Sequence, residues 1–475
     1  MSNVFVDLLA IDKGTVTAPA GCGKTYLIAD ALRRHKGEKP ILLLTHTNAG
    51  VVALRKILFD AGVSAEKYRL LTIDGWAIKL VSTFPQRSER KTDTLLLRNP
   101  ADDYLNIRKA TGKLLKSKHI DDALKATYSR IIVDEYQDCS IGQHFIVCCL
   151  SIVFPTCLLG DPLQAIFDFG GDKLASWEDH VVKCFPVCKT LNTPWRWNNQ
   201  SKNGFGSWLL DARSKLEAEQ PIDLGQSPDE VKWIQTSETT DFQAQAQVDV
   251  VNKIELADDE KLLIIGESKN PKSQRKFASK IKGAVAIESV DLKDFVEFAK
   301  NIDFTSIDSL KTLVDFAGTL MAGVGAPKML KRIDSLNKRT ARKEPTEVEK
   351  AALQFLDKLC PRNAGHLLSE INRQSGVRVY RPAILRACLN AFQQCASDGS
   401  DLHEVAVNLR EQNRLIGRPL AKKSVGSTLL LKGLEAEVCV ILNADRLNKN
   451  NLYVAMTRGS RRLIIFSPTR CIKPS

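Results

Sequence analysis

The run APAGCGKT, from Ala18 to Thr25, constrains the fold of this chain more than any other feature. It follows the β-rich run GTVTA and precedes a helical sequence, which is the context that a phosphate-binding loop requires. Glycines let the backbone curl so that several N–H groups and the helix N-terminus face the phosphates. A chance glycine turn is the alternative, and the acidic motif described below argues against it.

The residues of this loop have distinct predicted roles. Lys24 is expected to reach the β- and γ-phosphates of a nucleoside triphosphate, and the Thr25 hydroxyl is expected to bind Mg²⁺. Ala18 replaces the usual first glycine, a small change that leaves the phosphate cradle intact. The remaining predicted phosphate-binding residues are Gly21, Cys22 and Gly23.

The second motif is IIVDEYQD, a buried-strand sequence that ends in adjacent carboxylates. One carboxylate can hold a metal ion while its neighbour orients the attacking water. We predict that Asp134 is the metal ligand and that Glu135 is the general base. A solvated acidic turn is the alternative, but the preceding residues have the composition of a core strand.

Composition and charge narrow the class of partner. The 68 Lys and Arg residues exceed the 55 Asp and Glu residues and give a net charge of +13, which favours a polyanion such as nucleic acid. The alternative interpretation, a basic surface that only confers solubility, remains open.

The twelve cysteines include no Cys-x-x-Cys pair and are interpreted as buried thiols rather than metal ligands. No apolar run or leader-like start is found, so a cytoplasmic protein with no membrane partner is expected.

The order of strand-like and helix-like runs predicts two parallel sheets. Strand and helix patterns alternate over residues 1–178, interrupted by a basic helical insertion at about 76–126. A second α/β pattern covers 179–284 and 420–475, and the intervening residues 285–419 are almost wholly helical. The basic patch in this helical region could bind DNA, bind a protein partner or form a solvated face.

Further segments resemble those of the UvrD/Rep/PcrA group of superfamily 1 helicases, in the family's order. These segments are LTHTNA from Leu44, TIDG from Thr72, GDPLQAIF from Gly160, LNTPWR from Leu191, the run from Ser427 to Glu435, and YVAMTR from Tyr453. The resemblance implies an α/β fold of two RecA-like parallel-sheet domains with mainly helical insertions. It also implies a DNA helicase or translocase that is driven by ATP.

The resemblance assigns roles to residues outside the two generic motifs. Gln164 would sense the γ-phosphate, and Arg196 and Arg458 would stabilise its charge from the second domain, so that hydrolysis requires closure of a cleft. Gly433 and Glu435 would also contact the nucleotide. The residues implied in DNA binding are Thr47, Asn48, Thr72, Phe167 and Phe169; core packing is the alternative for the two phenylalanines.

This sequence departs from the family pattern around the base. No glutamine precedes Ala18, although the family uses one there to read adenine. Tyr26 and Trp195 stand where the family has an arginine and a tyrosine, and an aromatic sandwich of these rings could hold any purine. We therefore expect ATP or another purine nucleoside triphosphate, with weak discrimination between bases.

Two functions remain open at this point. The first is single-stranded-DNA-stimulated hydrolysis that drives 3′ to 5′ translocation. The alternative is a DNA-end-sensing NTPase that regulates or assembles with a nuclease without processive unwinding. The small insertions resemble the helicase subunit of Gabija-type antiphage systems, which implies a nuclease partner with its own ATPase domain.

Overall fold

The computed structural model describes residues 6–88, 94–95, 99–167, 172–236, 240–266, 270–289, 291–413 and 420–474. These residues separate into two compact units. Unit 1 comprises residues 1–232, 445–462 and 470–475, and unit 2 comprises residues 233–444 and 463–469. Each unit is described by itself below.

Unit 1 is built on a six-stranded sheet. Its strands are β1 (Lys13–Thr17), β2 (Ile41–Thr45), β3 (Tyr68–Thr72), β4 (Ile131–Val133), β5 (Thr156–Gly160) and β6 (Val187–Thr190). They lie in the order β3-β2-β4-β5-β1-β6, and all neighbouring pairs are parallel. The short strands β7 (Ile222–Asp223) and β16 (Cys471–Ile472) form an antiparallel pair.

Helices cover both faces of this sheet. They are α1 (Lys24–Arg34), α2 (Asn48–Asp60), α3 (Ile73–Thr83), α4 (Pro100–Lys116), α5 (Asp121–Thr127), α6 (Ile141–Leu150), α7 (Val182–Cys184), α8 (Trp195–Asn198), α9 (Asn203–Glu217) and α20 (Lys449–Met456). All five residues of β2 are buried. Leu42 and Leu44 join one apolar core, while Ile41 and Leu43 join another. Because successive side chains of a strand point to opposite faces, one apolar run supplies both cores.

The second six-stranded sheet has the order β10-β13-β9-β14-β15-β8. Its strands are β8 (Val231–Gln235), β9 (Leu262–Gly266), β10 (Ala284–Ala286), β13 (Lys423–Ser427), β14 (Ala436–Ile441) and β15 (Gly459–Ser467). Parallel pairs join β10 to β13, β13 to β9, and β9 to β14. The associated helices are α10 (Thr240–Asn252), α11 (Pro271–Lys280) and α19 (Thr428–Leu431).

A helical region lies between β10 and β13 in the chain. Its helices are α12 (Lys293–Asn301), α13 (Ser309–Leu320), α14 (Ala326–Asn337), α15 (Glu347–Asp357), α16 (Pro361–Arg373), α17 (Pro382–Asp398) and α18 (Leu402–Asn413). They enclose their own apolar core, in which the rings of Phe298 and Phe316 stack with centroids 3.9 Å apart. The short strands β11 (Met321–Ala322) and β12 (Arg378–Val379) pair antiparallel.

The predicted α/β class, with two parallel-sheet domains and mainly helical insertions, is confirmed. The structure differs from the prediction in one segment: the second α/β pattern was expected to start at residue 179, but residues 187–190 form β6 at the edge of the first sheet. Its backbone pairs with β1, and the carbonyl oxygen of Phe185 accepts a hydrogen bond from the Thr15 hydroxyl. The division into units therefore differs from a boundary at residue 178.

Within the described ranges, no helix combines the length and apolar character needed to cross a lipid bilayer.

Candidate active site

The phosphate loop joins β1 to α1. Gly23 is the residue before α1 and has φ of 88°, while Gly21 has φ of 71°. Both values lie in the left-handed region that favours glycine. A Cβ on Gly21 would also lie 2.5 Å from Cζ3 of Trp197. Conformation and space therefore both require glycine at position 21.

Helix α8 packs directly on this loop. The Arg196 amide donates a 3.1 Å hydrogen bond to the carbonyl oxygen of Gly21. Trp197 is buried, and its indole N–H donates to the carbonyl oxygen of Gly459 over 2.9 Å. The segment that carries Arg196 is thus fixed against the phosphate loop by backbone and side-chain contacts.

Lys24 joins the loop to the acidic motif at the end of β4. Its Nζ lies 3.1 Å from Oδ1 of Asp134 and also forms an ion pair with Glu135. Burial disfavours the charged ammonium, but the two carboxylates outweigh it and raise the pKa of Lys24. The side chains predicted to bind phosphate, bind metal and activate water are therefore in contact.

Glu135 has an unusual backbone conformation. Its φ of 54° places a residue other than glycine in the left-handed region. Such conformations cost on the order of 1–3 kcal/mol and are concentrated at functional sites. The Glu135 carboxylate accepts a hydrogen bond from Nε2 of Gln137, a buried residue two positions later.

Asp161 connects Gln137 to the predicted γ-phosphate sensor. Its amide donates to Oε1 of Gln137 over 3.0 Å, and its Oδ2 accepts a 3.0 Å hydrogen bond from Nε2 of Gln164. Its Oδ1 forms a 2.8 Å ion pair with the buried Arg213. Glu135 and Gln164 are therefore linked through two side chains.

Sequence reasoning missed several residues of this site. Gln137 and Asp161 lie inside two of the predicted motifs, but the sequence assigns neither of them a role. Arg213 lies on α9, and no motif marks it. Tyr453 was noted only as the start of a segment; its hydroxyl accepts a 3.1 Å hydrogen bond from the Ala20 amide, and the Arg213 guanidinium lies 5.7 Å from its ring centroid.

The two predicted arginines lie in the same unit as Lys24, which differs from the expectation that they belong to a second domain. Nη1 of Arg196 donates to the carbonyl oxygen of Thr457 over 2.7 Å. Arg458 is 3% exposed, and its Nε donates to the carbonyl oxygen of Val454 over 2.9 Å. Both guanidinium groups are thus held by the C-terminal end of α20.

The remaining predicted nucleotide residues are distributed more widely. Ala18 and Cys22 are buried, and burial followed by the Asp161 charge raises the pKa of the Cys22 thiol to about 12. Tyr26 and Trp195 are 63% and 41% exposed, as stacking on a base would require. Gly433 and Glu435 are exposed residues of unit 2, between α19 and β14. Their predicted roles stay predictions.

The predicted DNA-binding residues lie near the carboxyl ends of β2, β3 and β5. Thr47 and Thr72 cap α2 and α3 by accepting hydrogen bonds from backbone amides, and Asn48 is exposed. The half-buried Phe167 contacts His46, with ring centroids 5.4 Å apart. Phe169 lies outside the described residues. The hydroxyls of the two threonines therefore have a structural role that is independent of DNA.

The chemistry of the site suits a magnesium nucleotide. Mg²⁺ prefers oxygen ligands, and Thr25 and Asp134 offer a hydroxyl and a carboxylate. Oδ1 of Asp134 is buried and lacks a hydrogen bond of ordinary geometry, although Lys24 lies 3.1 Å away. A phosphate loop beside a strand-end carboxylate pair is the arrangement of P-loop nucleoside triphosphatases.

Comparison with known proteins narrows this class. Residues 91–176, which include the acidic motif and the GDPLQ segment, match the UvrD/REP helicase N-terminal domain. This match supports the assignment of these residues to a superfamily 1 helicase. The chain is also similar to arterivirus nonstructural protein 10 (helicase), solved in complex with DNA, with 9% identity and a TM-score of 0.36. That similarity covers 96% of this chain, which spans 61% of the viral one. No curated protein matches the sequence significantly.

Proposed function

We propose that this protein is an Mg²⁺-dependent nucleoside triphosphatase that is stimulated by single-stranded DNA and acts as a 3′ to 5′ DNA translocase or helicase. The observation that carries this proposal is the contact of Lys24 with both Asp134 and Glu135 beside the phosphate loop. This contact brings together the proposed phosphate ligand Lys24, the proposed metal ligand Asp134 and the proposed base Glu135.

The metal would be held by the Thr25 hydroxyl and the Asp134 carboxylate, and when bound it would neutralise phosphate charge. Lys24 has a second role in this proposal. The Lys24 ammonium is paired with Glu135. A bound triphosphate carries more negative charge than this carboxylate and would draw the ammonium towards the phosphates. Glu135 would then be released to accept a hydrogen bond, and later a proton, from the attacking water.

The hydrogen-bond chain from Glu135 to Gln164 supports a positioning role for its intermediate members. Gln137 holds the Glu135 carboxylate and the Asp161 amide at the same time. Asp161 in turn holds Gln164, so a γ-phosphate contact at Gln164 would influence the orientation of the base. Phosphoryl transfer depends mainly on such positioning and on charge neutralisation.

Arg196 and Arg458 would supply further positive charge to the transition state. Both donate to oxygens at the end of α20, so each would need to change its hydrogen bonds to reach a phosphate. The exposed rings of Tyr26 and Trp195 support stacking on a purine without selection of its base.

The net charge of +13 and the helicase family match support DNA as the polyanion. The 3′ to 5′ polarity and a role in antiphage defence rest on the resemblance of the motifs alone. The second candidate function is a DNA-end sensor that assembles with a nuclease. Its support lies at Asp74, where the resembling helicases have a histidine in the DNA path. Arg108 engages both carboxylate oxygens of Asp74 at 2.7 Å. A negatively charged side chain held in this way would weaken the grip on DNA that processive unwinding needs.

The test measures phosphate release with and without single-stranded DNA, and strand separation of duplexes with a 3′ or a 5′ tail. We expect DNA-stimulated hydrolysis and unwinding of the 3′-tailed duplex only, both abolished in Lys24→Ala. Stimulated hydrolysis without unwinding of either duplex would favour the end sensor. Hydrolysis that does not respond to DNA would refute both functions.

A further inference from the structure

A second cluster of side chains lies behind the acidic motif, on α6 and α7. His144 and Cys148 are separated by one helical turn on α6, and Cys184 is the last residue of α7. The metal-binding atoms of these three side chains all lie within 4.8 Å of one another. Residues from two separate segments thus present one imidazole nitrogen and two sulfur atoms to the same point.

We propose that His144, Cys148 and Cys184 bind one Zn²⁺ ion or a similarly soft divalent cation. Zn–S and Zn–N bonds of about 2.3 and 2.0 Å in a tetrahedron separate the sulfur and nitrogen atoms by about 3.6 Å. Sγ of Cys148 lies 3.4 Å from Nε2 of His144. This pair is therefore close to the spacing that such an ion requires, and Sγ of Cys184 lies within 4.8 Å of both atoms.

Tyr136 orients the imidazole for this role. Its hydroxyl lies 2.8 Å from Nδ1 of His144, on the opposite side of the ring from the thiols. When Nδ1–H donates to the tyrosine oxygen, Nε2 carries a lone pair that faces Cys148. Metal-binding histidines commonly make such a hydrogen bond, which fixes the tautomer and the ring orientation. Tyr136 is itself buried.

The nearby His180 is not a ligand in its present orientation. Its ring centroid is 6.3 Å from that of His144, but its Nδ1 accepts a 2.9 Å hydrogen bond from the Ser176 amide. The neutral ring then carries its proton on Nε2 and has no lone pair left for a metal. Among the residues that the structure describes, three ligands thus come together, and a solvent molecule would occupy the fourth position.

Charge and access are compatible with this site. Two thiolates neutralise a divalent cation, and binding would release the two thiol protons to solvent. Cys148 and Cys184 are half-buried, which leaves a path for the ion. The ion would link α6 to α7 and hold Tyr136, the neighbour of Glu135. Because the cysteines are distant in sequence, no Cys-x-x-Cys spacing signals the site, and the sequence led to their interpretation as buried thiols rather than metal ligands.

The test uses the full-length protein, purified under reducing conditions without strong chelators. Elemental analysis should find one zinc ion per chain in the wild type. Cys148→Ser and Cys184→Ser should lose it, whereas Cys188→Ser, which removes an exposed thiol outside the cluster, should retain it. His180→Gln should also retain the metal.

Cobalt substitution of the wild type gives a readout that does not depend on the folding of any variant. We expect thiolate-to-cobalt charge-transfer absorption and the visible bands of a tetrahedral ion. Wild-type protein without these bands would overturn the proposal. Undiminished zinc in Cys148→Ser, or a Cys148–Cys184 disulfide in the reduced preparation, would do the same.

Discussion

The Ala20 amide donates a 3.1 Å hydrogen bond to the hydroxyl of Tyr453, across 433 residues of sequence. The phosphate loop is therefore shaped in part by α20, near the end of the chain. Tyr453 is 2% exposed, and burial raises the pKa of its hydroxyl well above the ordinary value, so it remains protonated. Through this contact, we expect a segment far from the loop in sequence to influence nucleotide binding.

Tyr453→Phe removes this hydrogen-bond acceptor and leaves the buried Ala20 amide without it. A lost buried hydrogen bond costs about 1–2 kcal/mol, so we expect kcat/KM for nucleotide hydrolysis to fall about 5- to 30-fold. Tyr380→Phe is the matched control, because its hydroxyl donates to the carbonyl oxygen of Thr319 in unit 2. Steady-state kinetics that are equal in the two variants would contradict the assigned role.

Gln137→Leu breaks the connection between Glu135 and Asp161. We expect kcat to fall about 10- to 100-fold, because general-base catalysis depends on the position of the base. Nucleotide affinity should change little, since Lys24 and the loop are intact. Gln247→Leu is the control, because it removes a buried side-chain hydrogen bond to Leu442 in unit 2. A Gln137→Leu enzyme with normal kcat and weakened binding would argue against a positioning role.

Arg213→Leu leaves the buried Asp161 carboxylate without its ionic partner. Breaking a buried ion pair from one side costs about 3–5 kcal/mol, so we expect a clearly lower urea midpoint for unit 1. Lys338→Leu should have little effect, because its partner Asp334 is exposed and such pairs contribute about 0–1 kcal/mol. The double variant Asp161→Asn/Arg213→Leu should recover part of the stability that Arg213→Leu loses. Equal urea midpoints for Arg213→Leu and Lys338→Leu would refute this assignment.

Cys22 should react slowly with iodoacetamide although it lies in the phosphate loop. Burial, and then the charge of Asp161, raise the pKa of its thiol to about 12. The thiolate is the reactive form, so labelling should increase about tenfold per pH unit and remain slow near about pH 8. Mass spectrometry of the labelled protein compares Cys22 with the exposed Cys188 and Cys471. Labelling of Cys22 as fast as Cys188 at that pH would exclude the raised pKa.

The parts of the fold that follow from local patterns were predictable. The apolar runs of β2 and β4 indicate buried parallel strands, and parallel strands bring their carboxyl ends to one edge, which places Lys24 near Asp134 and Glu135. β6 could not be assigned in the same way, because all four of its residues are exposed and no apolar pattern marks the sheet to which it belongs.

The supporting residues of the site depend on packing rather than on sequence patterns. Nothing in the sequence distinguishes Arg213 from other helical arginines, and its role is visible only from its ion pair with Asp161. Likewise, Tyr453 is identified as a residue of the site only by its contact with Ala20. The His144 cluster is similar, because Cys184 reaches it from another segment. Sequence motifs therefore locate the residues that are predicted to contact phosphate. The residues that position them are determined by tertiary packing and have no motif of their own.

The most direct test of the central claim compares Glu135→Gln with the wild type in nucleotide binding and in single-turnover hydrolysis. Loss of a general base should reduce the hydrolysis rate by about 10²- to 10⁴-fold, while nucleotide affinity stays within a few-fold. Glu66→Gln, a change at an exposed residue of unit 1, serves as the control and should behave as the wild type. Hydrolysis by Glu135→Gln at the wild-type rate would contradict the account.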